Sequence, residues 1–314
     1  RRWMYRRGLL RRRRLPRAVV SIGNLTAGGT GKTPFAALVA EHYLRRGLKV
    51  ALLSRGYGGG GDGSPRIVSD GRTVFLSADE GGDEPVLLAQ SVPGLLVATG
   101  RDRYAAGMFL LERLQADLFI LDDGFQHMQL ARDLDILLLD ARRPFGNGLT
   151  LPAGLLREPR GGAAFADLLV LTRCGEHVPT LPCTQAQLRS RHRLQGAVCL
   201  QTGEARGLGD FAGNGFVFAG IAEPGAFFAD VEREGVRVAG RMPLPDHAVY
   251  DGEVVDRLLE AAERSGADYF LTTEKDAVKI APFLPRLAPL YAARLRLEVE
   301  EPERLERLLD GVLR

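Results

Sequence analysis

Cysteine is scarce in this sequence. Only Cys174, Cys183 and Cys199 occur among 314 residues, and no two form a C-x-x-C pair. A disulfide framework or a four-ligand zinc site needs close pairs, so the thiols read as buried or incidental in a reducing compartment. Cys174 and His177 make a lone C-x-x-H without the second pair that zinc requires. No run of about 18 apolar residues is present, so no membrane-spanning helix is expected within these residues. Internal repeats and low-complexity tracts are also lacking. With 45% apolar and 26% charged residues, the composition is that of an ordinary globular protein.

Acid is missing from the first fourteen residues, "RRWMYRRGLLRRRR", which hold eight arginines. Taking those eight charges from the net +3 leaves −5 for residues 15–314, so the body is mildly acidic. Such a patch suits an anionic membrane surface or nucleic acid. Trp3, Met4, Tyr5, Leu9 and Leu10 among the arginines suit an interfacial helix, and the alternative is a solvated, partly disordered start. The acidic body and the lack of further interleaved aromatics argue against nucleic acid. The chain begins with Arg, and the two expectations are a protein held peripherally at the membrane and one anchored by a segment that precedes these residues.

Short apolar runs alternate with helical stretches. "RAVVSIG", "KVALLS", "LLVAT", "ADLFILDDG", "DLDILLLDA" and "ADLLVLT" read as buried strands, with helices near 34–46, 84–91 and 103–114. Continuous apolar strands separated by helices predict an α/β fold with a parallel sheet covered on both faces. A second series begins near 215. The organisation expected is a basic segment over 1–16, a P-loop NTPase-like domain over 17–204 and a smaller α/β domain over 205–314, whose tail returns to the first domain.

The loop "SIGNLTAGGTGKTPF" follows a strand and opens a helix, the context a phosphate-binding loop requires. It departs from G-x-x-x-x-G-K-[ST] at Thr26, where a glycine is usual. Its backbone over Thr26, Ala27, Gly28, Gly29, Thr30 and Gly31 can cradle phosphates, Lys32 can reach the β- and γ-phosphates, and Thr33 can ligate Mg²⁺. ATP and Mg²⁺ are therefore the expected substrate and cofactor. A second magnesium partner should end a buried strand. Asp122, doubled by Asp123 and followed by His127, suits this better than Asp140, which reads as a strand-end cap. Ala27 stands where one large ATPase class carries lysine, and no ordered [NT]-K-x-D guanine motif exists. Kinases and unrelated ATPases remain.

Seven motifs occur in order: "SIGNLTAGGTGKTP", "LSRGYGG", "GGDEP", "LDDGFQH", "PFGNG…LPAGLLREP", "PDHAVY" and "TTEKDAVK". Together they resemble the tetraacyldisaccharide 4'-kinase family over residues 17–300, a family in which threonine at the first loop position is usual. The resemblance implies two α/β domains facing a cleft and transfer of the ATP γ-phosphate to the 4'-hydroxyl of a tetraacyldisaccharide 1-phosphate. The product is lipid IVA of lipid A biosynthesis, made at the cytoplasmic face of the bacterial inner membrane. It implies a lipid disaccharide partner and an anionic membrane surface, and no protein partner is evident. An alternative is a P-loop ATPase switch that regulates a protein.

The resemblance carries roles onto matching residues. Asp83 of "GGDEP" would be the base on the sugar hydroxyl and His247 of "PDHAVY" its partner. The alternatives are a helix N-cap for Asp83 and a backbone-satisfied loop histidine for His247. Asp122 and Asp123 would serve magnesium, with His127 near the phosphates. Tyr57 and Arg103 would lie on the substrate or phosphate side, against alternatives of aromatic packing and a solvated arginine. Asn147, Arg157, Glu158 and Lys275 fall in matching strings without individual roles. One departure is Leu155, where the family has proline.

Overall fold

The computed structural model describes residues 2–175, 178–181 and 184–313, so His177 and Cys183 lie outside the described residues. The chain divides into two compact units, 1–192 together with 297–314, and 193–296.

In the first unit the continuous apolar runs become central strands because helices cover both faces. The strands are β1 (Ala18–Asn24), β2 (Val50–Ser54), β3 (Arg66–Asp70), β4 (Leu96–Thr99), β5 (Leu118–Leu121), β6 (Leu134–Asp140), β7 (Leu168–Thr172) and the start of β8 (Ala186–Cys199). They lie in the order β8-β7-β6-β1-β5-β2-β4-β3. Each pairing is parallel except that of β3 with β4. Helices α1 (Arg2–Arg6), α2 (Lys32–Arg45), α3 (Ala78–Gly81), α4 (Asp83–Ser91) and α5 (Arg103–Leu111) belong to this unit. One side of its core joins Leu15, Val19, Leu53 and Phe119 to Ala106 and Leu110 of α5. Another joins Leu25, Phe125 and Leu156 to Leu137, Leu139 and Leu169. Burying each Leu or Phe side chain contributes about 1.5–3 kcal/mol. Parallel pairing puts the carboxyl ends of β1, β5 and β2 along one edge, where ligands of such sheets bind.

Local signals set the helix ends. Gly47, with φ of 79°, follows α2 and lets Gly47 N and Leu48 N bond back to Leu44 O and Tyr43 O. The Asp102 side chain accepts from Tyr104 N and Ala105 N at the head of α5.

In the second unit, β9 (Ala205–Arg206) pairs with the end of β8. The strands β10 (Gly215–Ala219), β11 (Val238–Pro243), β12 (Tyr269–Thr273) and β13 (Leu290–Val299) follow the order β11-β10-β12-β13. Helices α6 (Pro224–Arg233), α7 (Gly252–Ser265) and α8 (Glu274–Ile280) cover them. α7 buries Val255, Leu258 and Ala262 at helical spacing; Asp251 caps its start and Gly266, in the left-handed region, ends it. The last helix, α9 (Pro302–Gly311), belongs to the first unit: the Tyr43 hydroxyl of α2 donates to Leu309 O at 2.8 Å, and His42 Nε2 lies 3.0 Å from the Asp310 carboxylate. Cys174 and Cys199 are buried free thiols.

Candidate active site

The phosphate loop is built where β1 ends. Gly31 caps α2 at φ of 83° without any side-chain cap, which leaves the first amides of a 14-residue helix for an anion. Gly28 also lies in the positive-φ region, and a Cβ there would meet nothing within 4 Å, so the loop is open on that side. Two segments brace the loop from outside. Ala27 N donates to Leu155 O at 2.7 Å, and Thr26 bridges to Leu156. The Thr172 hydroxyl donates to Thr30 O at 2.9 Å. Leu155, the residue that replaces proline, thus supports the loop through its carbonyl.

Lys32 opens α2, and its ammonium is placed by two neighbours. Nζ lies 3.3 Å from Asn24 Oδ1 and 3.6 Å from Asp123 Oδ1. Asn24 also donates from Nδ2 to Thr26 O at 2.8 Å, so one amide fixes both the lysine and the turn. Asp123, at a positive φ of 51°, accepts from Arg157 Nη1 at 2.6 Å. Burial pushes the Asp123 carboxyl up, but Lys32 and Arg157 outweigh it and hold its pKa below the usual range. Thr33 follows Lys32 in the same first turn.

Asp122, at the end of β5, is buried. Its Oδ2 accepts from Ser54 Oγ at 3.4 Å, while Oδ1 has no hydrogen-bond partner among the described residues. Burial first, then the charges of Glu84 and Asp123, push its pKa up to about 7; Lys32 and Arg103 pull the other way. Asp140 differs in kind, because Arg142 and Arg173 occupy its carboxylate, each at 2.8 Å. Of the two strand-end acids, Asp122 is the one with an oxygen to give. Among the described residues no group of three His, Cys, Asp or Glu forms a metal cage. That donor set fits a magnesium ion, which binds through one or two carboxylates and substrate phosphates. The open glycine loop and the orphaned Asp122 oxygen therefore suit ATP with Mg²⁺.

Asp83 is the first residue of α4, with Gly82 in the cap position. Asp83 is buried and its Oδ1 accepts from Glu84 N at 3.0 Å. Close backbone contact brings "LSRGYGG" and "GGDEP" together. A Cβ on Gly82 would come within 2.9 Å of Tyr57 O, and one on Gly59 within 2.6 Å of Glu80 O. Tyr57 is 74% exposed on this loop. Arg103 is buried at the head of α5, where the charges of Asp123, Arg55 and Asp122 act on it, so the solvated alternative does not describe it. His127 closes the turn after the acids through its N–H to Gly124 O at 2.8 Å. Asn147 is engaged in its own loop, donating to Ala153 O at 3.0 Å and accepting from Leu149 N at 3.1 Å.

His247 lies in the second unit at a positive φ of 57°, with Nε2 3.4 Å from Lys275 Nζ. The motifs "PDHAVY" and "TTEKD" are thereby brought together. Asn24, Gln126, Thr172 and His192 were given no role from sequence, although Asn24 and Gln126 stand inside quoted motifs.

His192 sets a test of the loop. A Cβ on Gly31 would lie 2.4 Å from His192 Nε2, and Gly31 is in the left-handed region. Gly31→Ala should weaken ATP at least tenfold, since about 1–2 kcal/mol of backbone strain and a steric clash both act on the cradle. Titration with a fluorescent ATP analogue, beside a circular dichroism melt, measures it; an unchanged Kd in a folded variant would show the loop is not the nucleotide site.

Comparison with known proteins agrees with this arrangement. A family model described as tetraacyldisaccharide-1-P 4'-kinase matches residues 1–314. A Geobacter sulfurreducens protein named tetraacyldisaccharide 4'-kinase is 52% identical over 311 residues, covering 98% of this chain and 88% of its own length. A relative of the same name from Geobacter metallireducens is 51% identical, with coverages of 98% and 92%. The crystal structure of LpxK from Aquifex aeolicus in complex with ATP superposes with a TM-score of 0.82 at 31% identity, over 100% of this chain and 94% of that one. The chain belongs to the tetraacyldisaccharide-1-P 4'-kinase family.

Proposed function

We propose that this protein transfers the γ-phosphate of ATP to the 4'-hydroxyl of a tetraacyldisaccharide 1-phosphate. The observation that carries the reading is the placement of Lys32 at the head of α2, between Asn24 and Asp123, together with an Asp122 oxygen that has no hydrogen-bond partner among the described residues. The loop amides and Lys32 hold the β- and γ-phosphates. Thr33 and Asp122, with Asp123 beside them, are the residues to hold magnesium, whose chemistry is neutralisation of phosphate charge. Asp83 accepts the hydroxyl proton as the new O–P bond forms, and the β–γ bridging P–O bond breaks with its electrons leaving on ADP. Arg103 and Tyr57 serve the phosphate and sugar side, and His247 is the further candidate for the proton's path.

Purified protein with ATP and detergent-dispersed acceptor should yield a product heavier by one phosphate. ATP turnover stimulated by a protein and not by lipid would instead favour the ATPase-switch reading.

The acceptor is a lipid, and the N-terminal segment is suited to an anionic membrane surface at the cytoplasmic face. Met4 and Leu9 are exposed beside exposed Arg7, Arg11 and Arg12. Leu149, Leu151 and Leu155, near the phosphate loop, are exposed as well. No helix among the described residues is long and apolar enough to cross a membrane. Each basic residue near an anionic surface contributes about 1 kcal/mol, so Arg11→Ala with Arg12→Ala should weaken binding to phosphatidylglycerol-containing vesicles roughly tenfold or more. Equal sedimentation with neutral phosphatidylcholine vesicles would refute the surface reading.

A further inference from the structure

The arginines of the first fourteen residues do not form one solvated patch. Arg14 pairs with Asp133 at 2.7 Å on the surface. Arg2 is different, with its side chain only 13% exposed. Its guanidinium donates from Nε to Glu158 Oε2, from Nη2 to Glu158 Oε1 at 2.7 Å and from Nη2 to Phe125 O at 3.1 Å. It also stacks 4.2 Å from the centroid of the Phe125 ring, inside the motif that supplies Asp122 and Asp123. A bidentate, stacked arginine is the arrangement in which lysine is a poor substitute.

Glu158 does not end the chain of contacts. Its Oε1 accepts a second bond, from Gln126 Nε2 at 3.0 Å, and the same Gln126 nitrogen donates to Asn24 O at 2.9 Å. Asn24 holds the Lys32 ammonium through Oδ1 and the phosphate-loop carbonyls of Thr26 and Gly28 through Nδ2. Arg157, the neighbour of Glu158, holds Asp123, the other partner of Lys32. Both neighbours of the lysine therefore lead back to the segment that Arg2 clamps.

We propose that Arg2 is a positioning residue for phosphoryl transfer, acting through Glu158, Gln126 and Asn24 to fix Lys32 and the phosphate loop. The N-terminal segment is then a structural part of the ATP site as well as a surface for lipid. Buried, fully connected polar networks transmit the loss of one member to the others, and displacement of a phosphate-holding group by about 1 Å is enough to cost rate.

The proposal rests on the kinase reading, and the test separates the two. Wild-type turnover with the lipid acceptor tests that reading alone, whereas binding of a fluorescent ATP analogue needs no acceptor. Arg2→Ala is expected to lower kcat about tenfold and to weaken the analogue severalfold. Arg2→Lys, which keeps one charge but not the fork, is expected to recover part of both. Arg14→Ala serves as the control in the same segment for analogue binding, which involves no lipid, and should match wild type there. Because a destabilised variant could mimic these losses, a double-mutant cycle with Gln126→Ala decides. If Arg2 acts through Gln126, the double variant is little worse than the worse single one; independent losses that multiply, or Arg2→Ala with wild-type kcat and ATP affinity, would overturn the proposal.

Discussion

Asp83→Ala should abolish measurable transfer to the lipid acceptor while ATP binding stays close to wild type. A positioned general base contributes about 10²–10⁴-fold, and a sugar hydroxyl needs its proton removed as the O–P bond forms. The separation of the two effects follows from the structure. Asp83 begins α4, whereas the groups that grip ATP begin α2 and end β5. The Asp83 carboxylate accepts from the amide of its own neighbour, Glu84, while Lys32 lies between Asn24 and Asp123. The fold should lose little, since a carboxylate in a first helical turn contributes about 0.3–1 kcal/mol. Steady-state transfer with saturating ATP, beside titration with a fluorescent ATP analogue, checks both halves. Loss of analogue binding together with turnover would mean that Asp83 belongs to the nucleotide site and that the base lies elsewhere. His247→Ala, in the second unit, is expected to give a smaller loss in kcat alone.

Asp122→Asn should act in opposite directions on turnover and on stability. Turnover should fall by about 10²-fold or more, because an amide oxygen is a weaker magnesium donor than a carboxylate and the transition state concentrates charge at the phosphates. The nucleotide-free protein should become more stable at neutral pH. Asp122 is buried with one oxygen lacking a hydrogen-bond partner among the described residues, and burial and the neighbouring carboxylates raise its pKa from 3.8 to about 7. Below pH 3.8 the folded and unfolded chains both keep the proton, and Asp122 costs nothing. As the pH climbs from 3.8 towards 7, the unfolded chain releases the proton and the folded chain does not, so stability is progressively lost; above 7 the loss is complete. Asparagine removes that loss, and Tm should rise by roughly 2–4 °C for each kcal/mol relieved. Melting curves without nucleotide at pH 5 and pH 8 test this, with the gain expected at pH 8. A variant that melts lower than wild type at pH 8 would contradict the assignment of Asp122 as a strained, function-serving acid.

Much of the fold was legible in the sequence because its signals are local. The strands of the parallel sheet are continuous apolar runs, and burial on both faces requires that composition. Gly47 after α2 and Pro34 in its first turn mark helix ends by backbone geometry alone. β8 escaped the reading because Arg189, Arg191 and Arg193 alternate with Leu188, Ser190, His192 and Leu194, so it lacks the continuous apolar run of its neighbours. α9 escaped because its polar character hides the two side chains it buries, Leu305 and Leu309.

By itself the sequence determined the phosphate loop, the acids able to serve magnesium and the ordered motifs that mark the family. Each is a pattern of residue types at fixed spacing, and backbone conformation or side-chain chemistry suffices to read it. Tertiary structure decided between arginines and gave the choice of acid its physical ground. Asp122, doubled by Asp123, already stands apart from Asp140 in the sequence, and the fold adds that Arg142 and Arg173 occupy Asp140 while burial leaves Asp122 with an oxygen to offer. Arg2 and Arg14 look alike in a basic tail, but one is clamped between Glu158 and Phe125 and the other stays on the surface. The partners of Arg2 lie 123 and 156 positions away, and Asp140 and Asp122 have partners 33 and 68 positions away; local spacing carries no record of them.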